Sequence, residues 1–544
     1  MTIEARKGVV RILSNYTRLL ITLGLGILVV PLTIRWLGDD AFGIISLLGA
    51  NIGLAGIFRQ IIQMSLVREL GQAYHGDENA FRQNYATICV IAVIAAVLSV
   101  ISFGVVFALI PVFKISEEFI WAARWFVVGQ GAYTAVTIIL APILNMYLVK
   151  ERFVGYNIWY IGVRSGNIIS VILLGYIIAI DDPAFGLAVH GVVWAFLASL
   201  GMVIAAWVMV RKDHRLMFTV KGSDKHARSQ VFSTFSWNTV VQIAMNLHEQ
   251  IPPLLLNLFF GTLVNAAWGI GFRFVSYIRM CTTGVQFGSD AVSARMNSGE
   301  DSEDSRRQLQ RLVAIQTKMT AMIAFPAAMG VFVFSWPIFD AWVGSSLEEY
   351  NTVMPVAVYM SRILAIALLA RAISDTWIII LYGAGYVKAY APWVLAGGIF
   401  APVVSVVLML VVPGSYVVYM PPVMYAFVLV TIHVGVLPFI VGKCLHTKGP
   451  SLILALGKPM LATMIAIGCS LLVLFLGGGI EDLGYQGALT QERGQAIEWV
   501  WILSSIVVFG FVYAIASYSF VLESAERRRI STVVLNRITM RSSS

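Results

Sequence analysis

The sequence predicts an all-α protein that crosses a membrane many times, and two bulk properties and one pattern lead to this fold class. Hydrophobic residues make up 58% of the 544 residues and charged residues only 12%, about half the charged fraction of a soluble domain. The mean hydropathy is +0.81. The apolar residues are grouped in stretches long enough to cross a bilayer as helices, which takes about 20 residues. These properties exclude a soluble enzyme, a disulfide-rich extracellular domain and a disordered chain.

The number of apolar stretches predicts about 14 transmembrane helices. The stretches cover residues 13–35, 41–63, 86–112, 121–148, 155–180, 187–210, 231–258, 262–290, 312–338, 352–382, 391–412, 421–442, 452–478 and 497–522. The boundaries at 413–422 stay open because prolines stand at both ends of this segment. The longest connections, at 211–230, 291–311 and 479–496, are too short for a folded domain.

A weak internal repeat predicts the domain organisation. At an offset of 223 residues, Asn15 aligns with Asn238, and Gly38 aligns with Gly261. This match suits a parallel repeat of two six-helix halves. The expected domains are an N-terminal six-helix bundle at 1–210, a basic cytoplasmic linker at 211–230, a C-terminal six-helix bundle at 231–442, two additional transmembrane helices at 443–522, and a basic cytoplasmic tail at 523–544.

The distribution of basic residues predicts the orientation in the membrane. Of the 38 lysines and arginines, 26 fall in segments on the side of the N-terminus, against three in the opposite loops. Since basic loops stay in the cytoplasm, both termini of this multi-pass protein are expected there. The net charge of +9 then reflects topology, and no nucleic-acid partner is expected.

Neither a cofactor nor a metal site is expected, and a transporter is favoured over an enzyme. The four cysteines lie in or beside spans and show no metal-ligand spacing. No G-x-x-x-x-G-K-[ST] motif occurs, so the chain is not expected to hydrolyse a nucleotide by itself.

Charged residues inside the spans carry most of the functional information. Three acids lie there, Glu249, Asp290 and Asp375, against nine bases: Arg18, Arg59, Arg124, Arg164, Arg273, Arg279, Lys318, Arg362 and Arg371. Lys458, near the start of the span 452–478, is counted with the residues on the side of the N-terminus. Four of the bases lie near span ends, where their side chains can reach the interface. The five deeper arginines would cost about 12–17 kcal/mol if they faced lipid. They are therefore expected to face a polar interior.

Salt bridges inside the membrane account for only part of this charge. Arg371 and Asp375 are four residues apart and can pair on one helix face. Even if all three acids pair, six positive charges remain in excess. This excess predicts a hydrated cavity for an anion. Arginine suits a phosphate because its planar guanidinium group donates two parallel hydrogen bonds.

Polar residues with helical spacing support such a cavity. One stripe contains Asn157, Tyr160, Arg164 and Asn167, a second contains Asn238, Gln242, Asn246 and Glu249, and a third contains Gln130, Thr134 and Thr137. A single stripe more often serves hydrogen bonding between helices. Three stripes together with the arginines indicate a polar lumen, and their amides and aromatic rings suit sugars.

A motif near the N-terminus resembles a known family. It consists of Asn15-Tyr16-Thr17-Arg18, then Pro31, Arg35, Leu37-Gly38 and Phe42-Gly43, and finally Arg59. This pattern resembles the start of Wzx-type O-antigen and polysaccharide flippases, which share a superfamily with the lipid II flippases and the multidrug and toxic-compound extrusion transporters. The resemblance implies two six-helix bundles in a V shape with alternating access, plus two extra C-terminal helices that form a groove for a lipid tail.

The resemblance also implies a substrate, a location and partners. The substrate would be an undecaprenyl-diphosphate-linked oligosaccharide, which is moved from the inner to the outer leaflet of the bacterial cytoplasmic (inner) membrane for surface polysaccharide biosynthesis. The polysaccharide polymerase and the chain-length machinery would be protein partners, and membrane lipid would surround the prenyl chain.

Candidate site residues follow from the resemblance and the charge analysis together. In the lipid II flippases, arginines on the first, second and eighth spans line the cavity, and the matching residues here are Arg18, Arg59 and Arg273, with Arg279 an equal contender. The full candidate set for substrate binding is Arg18, Arg59, Arg164, Arg273, Arg279, Arg362, Arg371, Asn157, Tyr160, Asn238, Gln242 and Asn246, and the candidates for ion coupling are Glu249 and Asp375.

Two other functions stay open at this point. A cation-coupled multidrug exporter of the same superfamily would be expected to carry acids in its first bundle, and spans one to six contain none. A membrane glycan polymerase or ligase would need a long outer loop for its acceptor, and the outer connections are short.

Overall fold

The computed structural model describes most of the chain, and the described part consists of helices joined by short connections. The described residues are 3–49, 74, 78–150, 152–220, 225–286, 288–297, 303–478, 480, 483, 499–524 and 526–528. No β-strand occurs within these ranges. The predicted all-α fold class is therefore confirmed.

Fifteen α-helices are numbered here in chain order. They are α1 (Ile3–Leu48), α2 (Glu78–Leu109), α3 (Glu117–Val149), α4 (Phe153–Val171), α5 (Pro183–Lys212), α6 (Lys225–Phe260), α7 (Thr262–Gln286), α8 (Ser289–Asn297), α9 (Glu303–Val343), α10 (Tyr350–Gly383), α11 (Val387–Val411), α12 (Met420–Val428), α13 (Leu437–Leu445), α14 (Gly449–Gly477) and α15 (Trp499–Ala516).

Within the described residues, 11 helical segments are long and apolar enough to cross a membrane. Most of the predicted span 41–63 lies outside the described residues. The predicted spans 231–258 and 262–290 coincide with α6 and α7, which are helices but not among the 11. The chain is therefore a polytopic membrane protein, and the number fourteen stays a prediction.

The open boundary at 413–422 is a turn between two spans. Helix α11 ends at Val411, two residues before Pro413, and Gly414 follows with a positive φ of 91°. Proline cannot donate the next helical hydrogen bond, and glycine adopts positive φ without steric cost. A 3-10 turn over Ser415–Tyr419 then leads into α12.

The chain divides into two compact units, each built from several segments. The first unit contains Met1–Phe274, Ala341–Met360 and Tyr390–Val428. The second unit contains Val275–Asp340, Ser361–Ala389 and Leu429–Ser544. These boundaries do not follow the basic stretch at 211–230, so the two six-helix halves stay a prediction based on the repeat.

Close helix packing builds the core of the first unit. Leu37 and Ile44 of α1 pack in one cluster with Phe126 of α3 and Leu187 of α5. Helices α3 and α5 approach each other at Gly129, where a Cβ atom would overlap the carbonyl group of Gly191. Small residues permit this approach, which is how helices commonly associate in membranes.

Two glycines that the repeat aligns have the same unusual backbone conformation. Gly38 interrupts α1 with a φ of 79°, and Gly261 separates α6 from α7 with a φ of 91°. Both values lie in the left-handed region, which favours glycine. The two halves of the proposed repeat therefore both contain a helix that is interrupted by a glycine at the aligned position.

In the second unit, the last two spans are attached to α9. Ser470 of α14 and Ser505 of α15 each donate a hydrogen bond from Oγ to the other's carbonyl oxygen, over 3.0 Å. The hydroxyl group of Tyr513 donates to the carbonyl oxygen of Met322 in α9. Phe334 of α9 also packs in one apolar cluster with Leu474 of α14.

Candidate anion-binding site

Helices α1 and α4 lie side by side in the first unit, and Asn157 links them. Its Nδ2 donates hydrogen bonds to Ser14 Oγ at 2.7 Å and to Asn15 Oδ1 at 3.0 Å. The side chain is 3% exposed. Because a buried amide is stabilised by such partners, Asn157 fixes the position of α4 against the start of α1. The prediction placed Asn157 in a substrate site, and the structure gives it this contact between helices.

Two arginines and two tyrosines lie next to this link, and together we call them the arginine–tyrosine cluster. Its members are Arg18 of α1 and Tyr156, Tyr160 and Arg164 of α4. The guanidinium carbon of Arg18 lies 5.3 Å from the centre of the Tyr156 ring and 5.2 Å from that of Tyr160. The guanidinium carbon of Arg164 lies 5.5 Å from the Tyr160 ring. Both arginines are thus held by cation–π contacts with one shared ring.

The spacing along α4 explains how this cluster forms. Tyr156, Tyr160 and Arg164 are four residues apart, so they follow one another along one helix face. The two tyrosine rings are stacked with their centres 5.9 Å apart. A guanidinium nitrogen of Arg164 also donates to the Tyr160 hydroxyl group over 3.3 Å. The aromatic rings therefore orient both guanidinium groups without neutralising them.

The cluster keeps its positive charge. Within the part of the chain that the structure describes, no carboxylate lies within ion-pair distance of Arg18 or Arg164. Arg164 is exposed and Arg18 is partly exposed on the protein surface. Two accessible guanidinium groups that share one aromatic ring can together bind a doubly charged phosphate group.

A second pair of arginines, in the second unit, has the opposite environment. The Nε atom of Arg279 donates to Asp375 Oδ2 at 2.7 Å, and the Nε atom of Arg371 donates to Asp375 Oδ1 at 2.7 Å. Arg371 is 4% exposed and Asp375 is 8% exposed. The predicted pairing of Arg371 with Asp375 is present, and Arg279 shares the same carboxylate. We call these three residues the Asp375 cluster.

This arrangement bears on the expectation that Asp375 couples transport to an ion. Both carboxylate oxygens already accept hydrogen bonds from guanidinium groups. The charge of this carboxylate is therefore already compensated by two arginines, and a coupling cation would compete with them for it. The preceding residue, Ser374, shares a 2.6 Å hydrogen bond with His433 Nδ1. The surroundings of Asp375 therefore contain further polar side chains.

Arg362 is bound to the protein itself. Its Nε lies 3.2 Å from the carbonyl oxygen of Phe332 and 3.1 Å from Ser335 Oγ, and an Nη atom donates to the carbonyl oxygen of Leu483 at 2.7 Å. The side chain is 5% exposed. Arg362 therefore connects α10 to α9 and to Leu483 after α14, and its hydrogen bonds stabilise the fold.

The predicted excess of six unpaired charges is too large. Lys318 of α9 lies 2.7 Å from Glu526, an acid of the C-terminal tail. The sequence count considered only acids inside the spans, so it missed this pair. Arg362 donates hydrogen bonds to backbone carbonyl oxygens, and a count of charged side chains does not include such acceptors.

The other predicted site residues lie in several places. The guanidinium carbon of Arg273 lies 5.1 Å from the centre of the Phe42 ring, where α7 packs on α1. In α6, Asn246 is buried and its Nδ2 donates to the carbonyl oxygen of Gln242 at 3.1 Å, while Gln242 and Glu249 are partly exposed. Arg59 and the side chain of Asn238 lie outside the described residues.

Tyr156 belongs to the cluster and was missed by the sequence analysis. Its signal was present, because Tyr156 precedes Tyr160 by four residues and so lies on the same helix face. The charge analysis places Arg18 near a span end, and the resemblance then selects it for the site. The rings that hold Arg18 belong to a helix more than 130 residues further along the chain.

No protein-family model matches the chain, and no curated protein sequence matches it either. Solved structures do match. The lipid II flippase MurJ in an inward closed conformation superposes with a TM-score of 0.64 at 13% identity, over 94% of this chain and 98% of the flippase.

Other matching structures are transporters as well. An inward-facing multidrug resistance MATE family transporter has a TM-score of 0.59 at 12% identity, over 80% of this chain and 98% of the transporter. A MOP superfamily transporter from Pyrococcus furiosus, described as having a binding pocket of reversed polarity, has a TM-score of 0.55 at 14% identity, over 82% of this chain and 96% of that one. At these identities the similarity establishes the fold alone, which this chain shares with these solved structures.

Proposed function

We propose that this protein is a flippase for an undecaprenyl-diphosphate-linked oligosaccharide. It would act in the bacterial cytoplasmic membrane, with both termini in the cytoplasm, and would supply surface polysaccharide biosynthesis. The observation that carries the proposal is the arginine–tyrosine cluster. It contains two guanidinium groups, Arg18 and Arg164, held on one tyrosine ring with no carboxylate among the described residues to neutralise them.

The diphosphate group of such a lipid fits the chemistry of this cluster. Each guanidinium group can donate two parallel hydrogen bonds to phosphate oxygens, and such charge-assisted bonds contribute about 1.5–3 kcal/mol each. The tyrosine rings limit the rotation of both side chains, which lowers the entropy cost of binding. The stacked rings of Tyr156 and Tyr160 also offer an aromatic face to a sugar ring.

Arg273 is a second candidate contact for the substrate in this proposal. It is partly exposed, and the resemblance to lipid II flippases selects it independently of the charge count. By contrast, Arg362 and Arg371 are buried and engaged by protein acceptors. We therefore assign them, together with Arg279, to maintaining the fold, and we keep Arg59, Asn238, Gln242 and Asn246 as candidate cavity residues.

The energetics do not require a coupling cation. Moving about two negative charges out of a cell with a negative interior is favourable by about 4–5 kcal/mol per 100 mV. This sign suits a diphosphate that moves outward. A cation-coupled drug exporter would instead need a carboxylate that can exchange its cation, and Asp375 is already held by two arginines.

Complementation of a strain that lacks its own O-antigen or exopolysaccharide flippase tests the function. The wild-type chain is compared with the double variant Arg18→Gln/Arg164→Gln at matched expression. We expect the wild type to restore surface polysaccharide and the double variant to fail. Arg124→Gln is a matched control, because Arg124 is also a partly exposed arginine of the first unit and lies 5.4 Å from the ring of Phe107.

Two outcomes would contradict the proposal. In the first, the wild type is expressed, restores no polysaccharide in several glycan backgrounds, and confers resistance to cationic dyes, which would indicate a drug exporter. In the second, the double variant restores polysaccharide as well as Arg124→Gln does, which would remove the arginine–tyrosine cluster from the mechanism.

A further inference from the structure

A second basic site lies in the first unit, at the ends of two membrane helices. A pocket of about 730 Å³ lies where α3 ends at Val149 and α5 ends at Lys212. The polar residues of its wall are Tyr74, Lys150, Arg152, Lys212, Asp213 and Arg215. None of them belongs to the arginine–tyrosine cluster, and the proposed function makes no use of them.

One carboxylate organises a wall of this pocket. Asp213 forms an ion pair with Lys150, and it accepts two hydrogen bonds from Arg215, from Nε at 3.0 Å and from an Nη atom at 3.0 Å. The hydrogen bonds from Arg215, and then those from Lys150, hold the pKa of the Asp213 carboxyl group well below its usual value. Asp213 therefore stays ionised at every physiological pH and keeps both cations in place.

Tyr74 completes this wall. Its hydroxyl group accepts a hydrogen bond from Arg215 at 3.1 Å, and its ring centre lies 5.0 Å from Lys150 Nζ and 5.2 Å from the guanidinium carbon of Arg215. Salt bridges and cation–π contacts thus connect three different segments of the chain. The wall is fixed by these contacts before any ligand binds.

The pocket nevertheless keeps an excess of positive charge. Its four basic residues face one acid, which leaves a formal excess of three positive charges. Arg152 and Lys212 are exposed, and neither has a carboxylate within ion-pair distance among the residues that the structure describes. Topology alone explains basic residues at this end of the helices. It does not explain why four of them surround one pocket whose wall is already held together by Asp213.

We propose that this pocket binds the phosphate headgroup of an anionic membrane lipid. The ends of membrane-spanning helices lie at the depth of the lipid headgroups, and basic pockets between such helices bind headgroups of this kind. Arg152 and Lys212 supply the charge that the phosphate neutralises, while Lys150 and Arg215 form the fixed wall behind it. The site holds a structural or regulatory lipid and is separate from the transport site.

Native mass spectrometry of the purified full-length protein tests this inference. The protein is titrated with phosphatidylglycerol and, in parallel, with phosphatidylcholine of the same acyl chains. We expect the wild type to retain phosphatidylglycerol more strongly, and the variant Arg152→Gln/Lys212→Gln to bind it about tenfold more weakly, as loss of charge-assisted contacts predicts. Arg211→Gln is the matched control, because Arg211 precedes Lys212, does not line the pocket, and lies 4.2 Å from the ring of Trp207.

Three results would overturn the proposal. One is equal retention of the two lipids by the wild type, and another is a double variant that binds phosphatidylglycerol as tightly as Arg211→Gln does. The third is binding of radiolabelled inorganic diphosphate that is lost in the double variant, while the wild type shows no preference for phosphatidylglycerol. This result would assign the pocket to a soluble phosphate compound. Thermal unfolding of each variant shows that it is folded, and Lys212→Gln alone replaces the double variant if that one unfolds.

Discussion

The two arginine pairs of this molecule are held by two different kinds of contact. Arg279 and Arg371 share the carboxylate of Asp375, and Arg371 and Asp375 are almost fully buried. Arg18 and Arg164 share the ring of Tyr160, and Arg164 is exposed. The first pair is compensated by a charge of opposite sign. The second pair is oriented by an aromatic ring and has no carboxylate within ion-pair distance among the residues that the structure describes.

We expect different roles for these arginines, although all four are bases inside predicted spans. A carboxylate stabilises a buried guanidinium group but also removes its attraction for a second anion. A tyrosine ring provides about 0.5–2 kcal/mol of cation–π attraction and leaves the charge available. We therefore expect the Asp375 cluster to control stability and the arginine–tyrosine cluster to control substrate binding.

The largest expected effect is on stability, from Asp375→Asn. This change would leave two guanidinium groups without their shared carboxylate, and breaking a buried ion pair costs about 3–5 kcal/mol. We expect a clearly lower unfolding temperature in detergent, followed by tryptophan fluorescence, and a reduced yield of folded protein. An unfolding temperature equal to that of the wild type would show that Asp375 does not stabilise the fold.

The complementary change in the other cluster is expected to affect transport instead. Arg18→Gln and Arg164→Gln each remove cation–π contacts worth about 0.5–1 kcal/mol at an accessible site, so the unfolding temperature should stay close to that of the wild type. The loss of one charge-assisted contact to phosphate, about 1.5–3 kcal/mol, should lower transport at least tenfold. Accumulation of lipid-linked oligosaccharide in the inner leaflet measures this effect. A variant with a lowered unfolding temperature and normal transport would show that the arginine–tyrosine cluster stabilises the fold and does not bind substrate.

Asp213 extends the comparison to a carboxylate outside the membrane. It also holds two cations, but Arg215 is exposed, so Asp213→Asn should cost less than Asp375→Asn, about 1–3 kcal/mol. Since the pKa of Asp213 is lowered in the folded protein, its stabilisation is present above the unfolded pKa and is lost only as the pH falls through the folded pKa. The difference in unfolding temperature between wild type and variant should therefore be constant from pH 8 to pH 5. A difference that disappears between pH 7 and pH 5 would contradict this assignment.

The smallest expected effect comes from Tyr160→Phe. The ring that holds Arg18 and Arg164 is kept, and only the 3.3 Å hydrogen bond from Arg164 to the hydroxyl group is lost. Loss of one such bond costs about 0.5–1.5 kcal/mol, so transport should fall by a few-fold. Tyr160→Leu, which removes the ring as well, should reduce it further. Equal activity of the two variants would show that the ring does not orient the arginines.

The sequence was sufficient for those features that depend on local spacing. Composition and the length of the apolar stretches predicted an all-α membrane fold, and spacing by three and four residues placed Tyr160 and Arg164 on one helix face. The spacing of Arg371 and Asp375 likewise predicted their ion pair. The aligned glycines Gly38 and Gly261 also share a positive φ. A positive φ is a property of the local backbone, and glycine favours it.

Contacts between distant segments could not be predicted in this way. Lys318 pairs with Glu526, which lies 208 residues away in sequence, and Arg362 donates to the carbonyl oxygen of Leu483, 121 residues away. No regular sequence spacing relates Lys318 or Arg362 to its partner. Every residue has a carbonyl oxygen, so the sequence does not indicate which one accepts a hydrogen bond from Arg362. A count of charges inside spans therefore overestimated the number of basic side chains without a protein partner.

Binding of a short-chain prenyl diphosphate to the purified protein tests the central claim most directly. Affinity is measured by isothermal titration calorimetry for the wild type, Arg18→Gln, Arg164→Gln and the control Arg124→Gln. The arginine–tyrosine cluster predicts binding that is at least tenfold weaker in the first two variants and unchanged in the control. Binding of wild-type strength in both cluster variants, or an equal loss in Arg124→Gln, would contradict the claim that Arg18 and Arg164 hold the diphosphate.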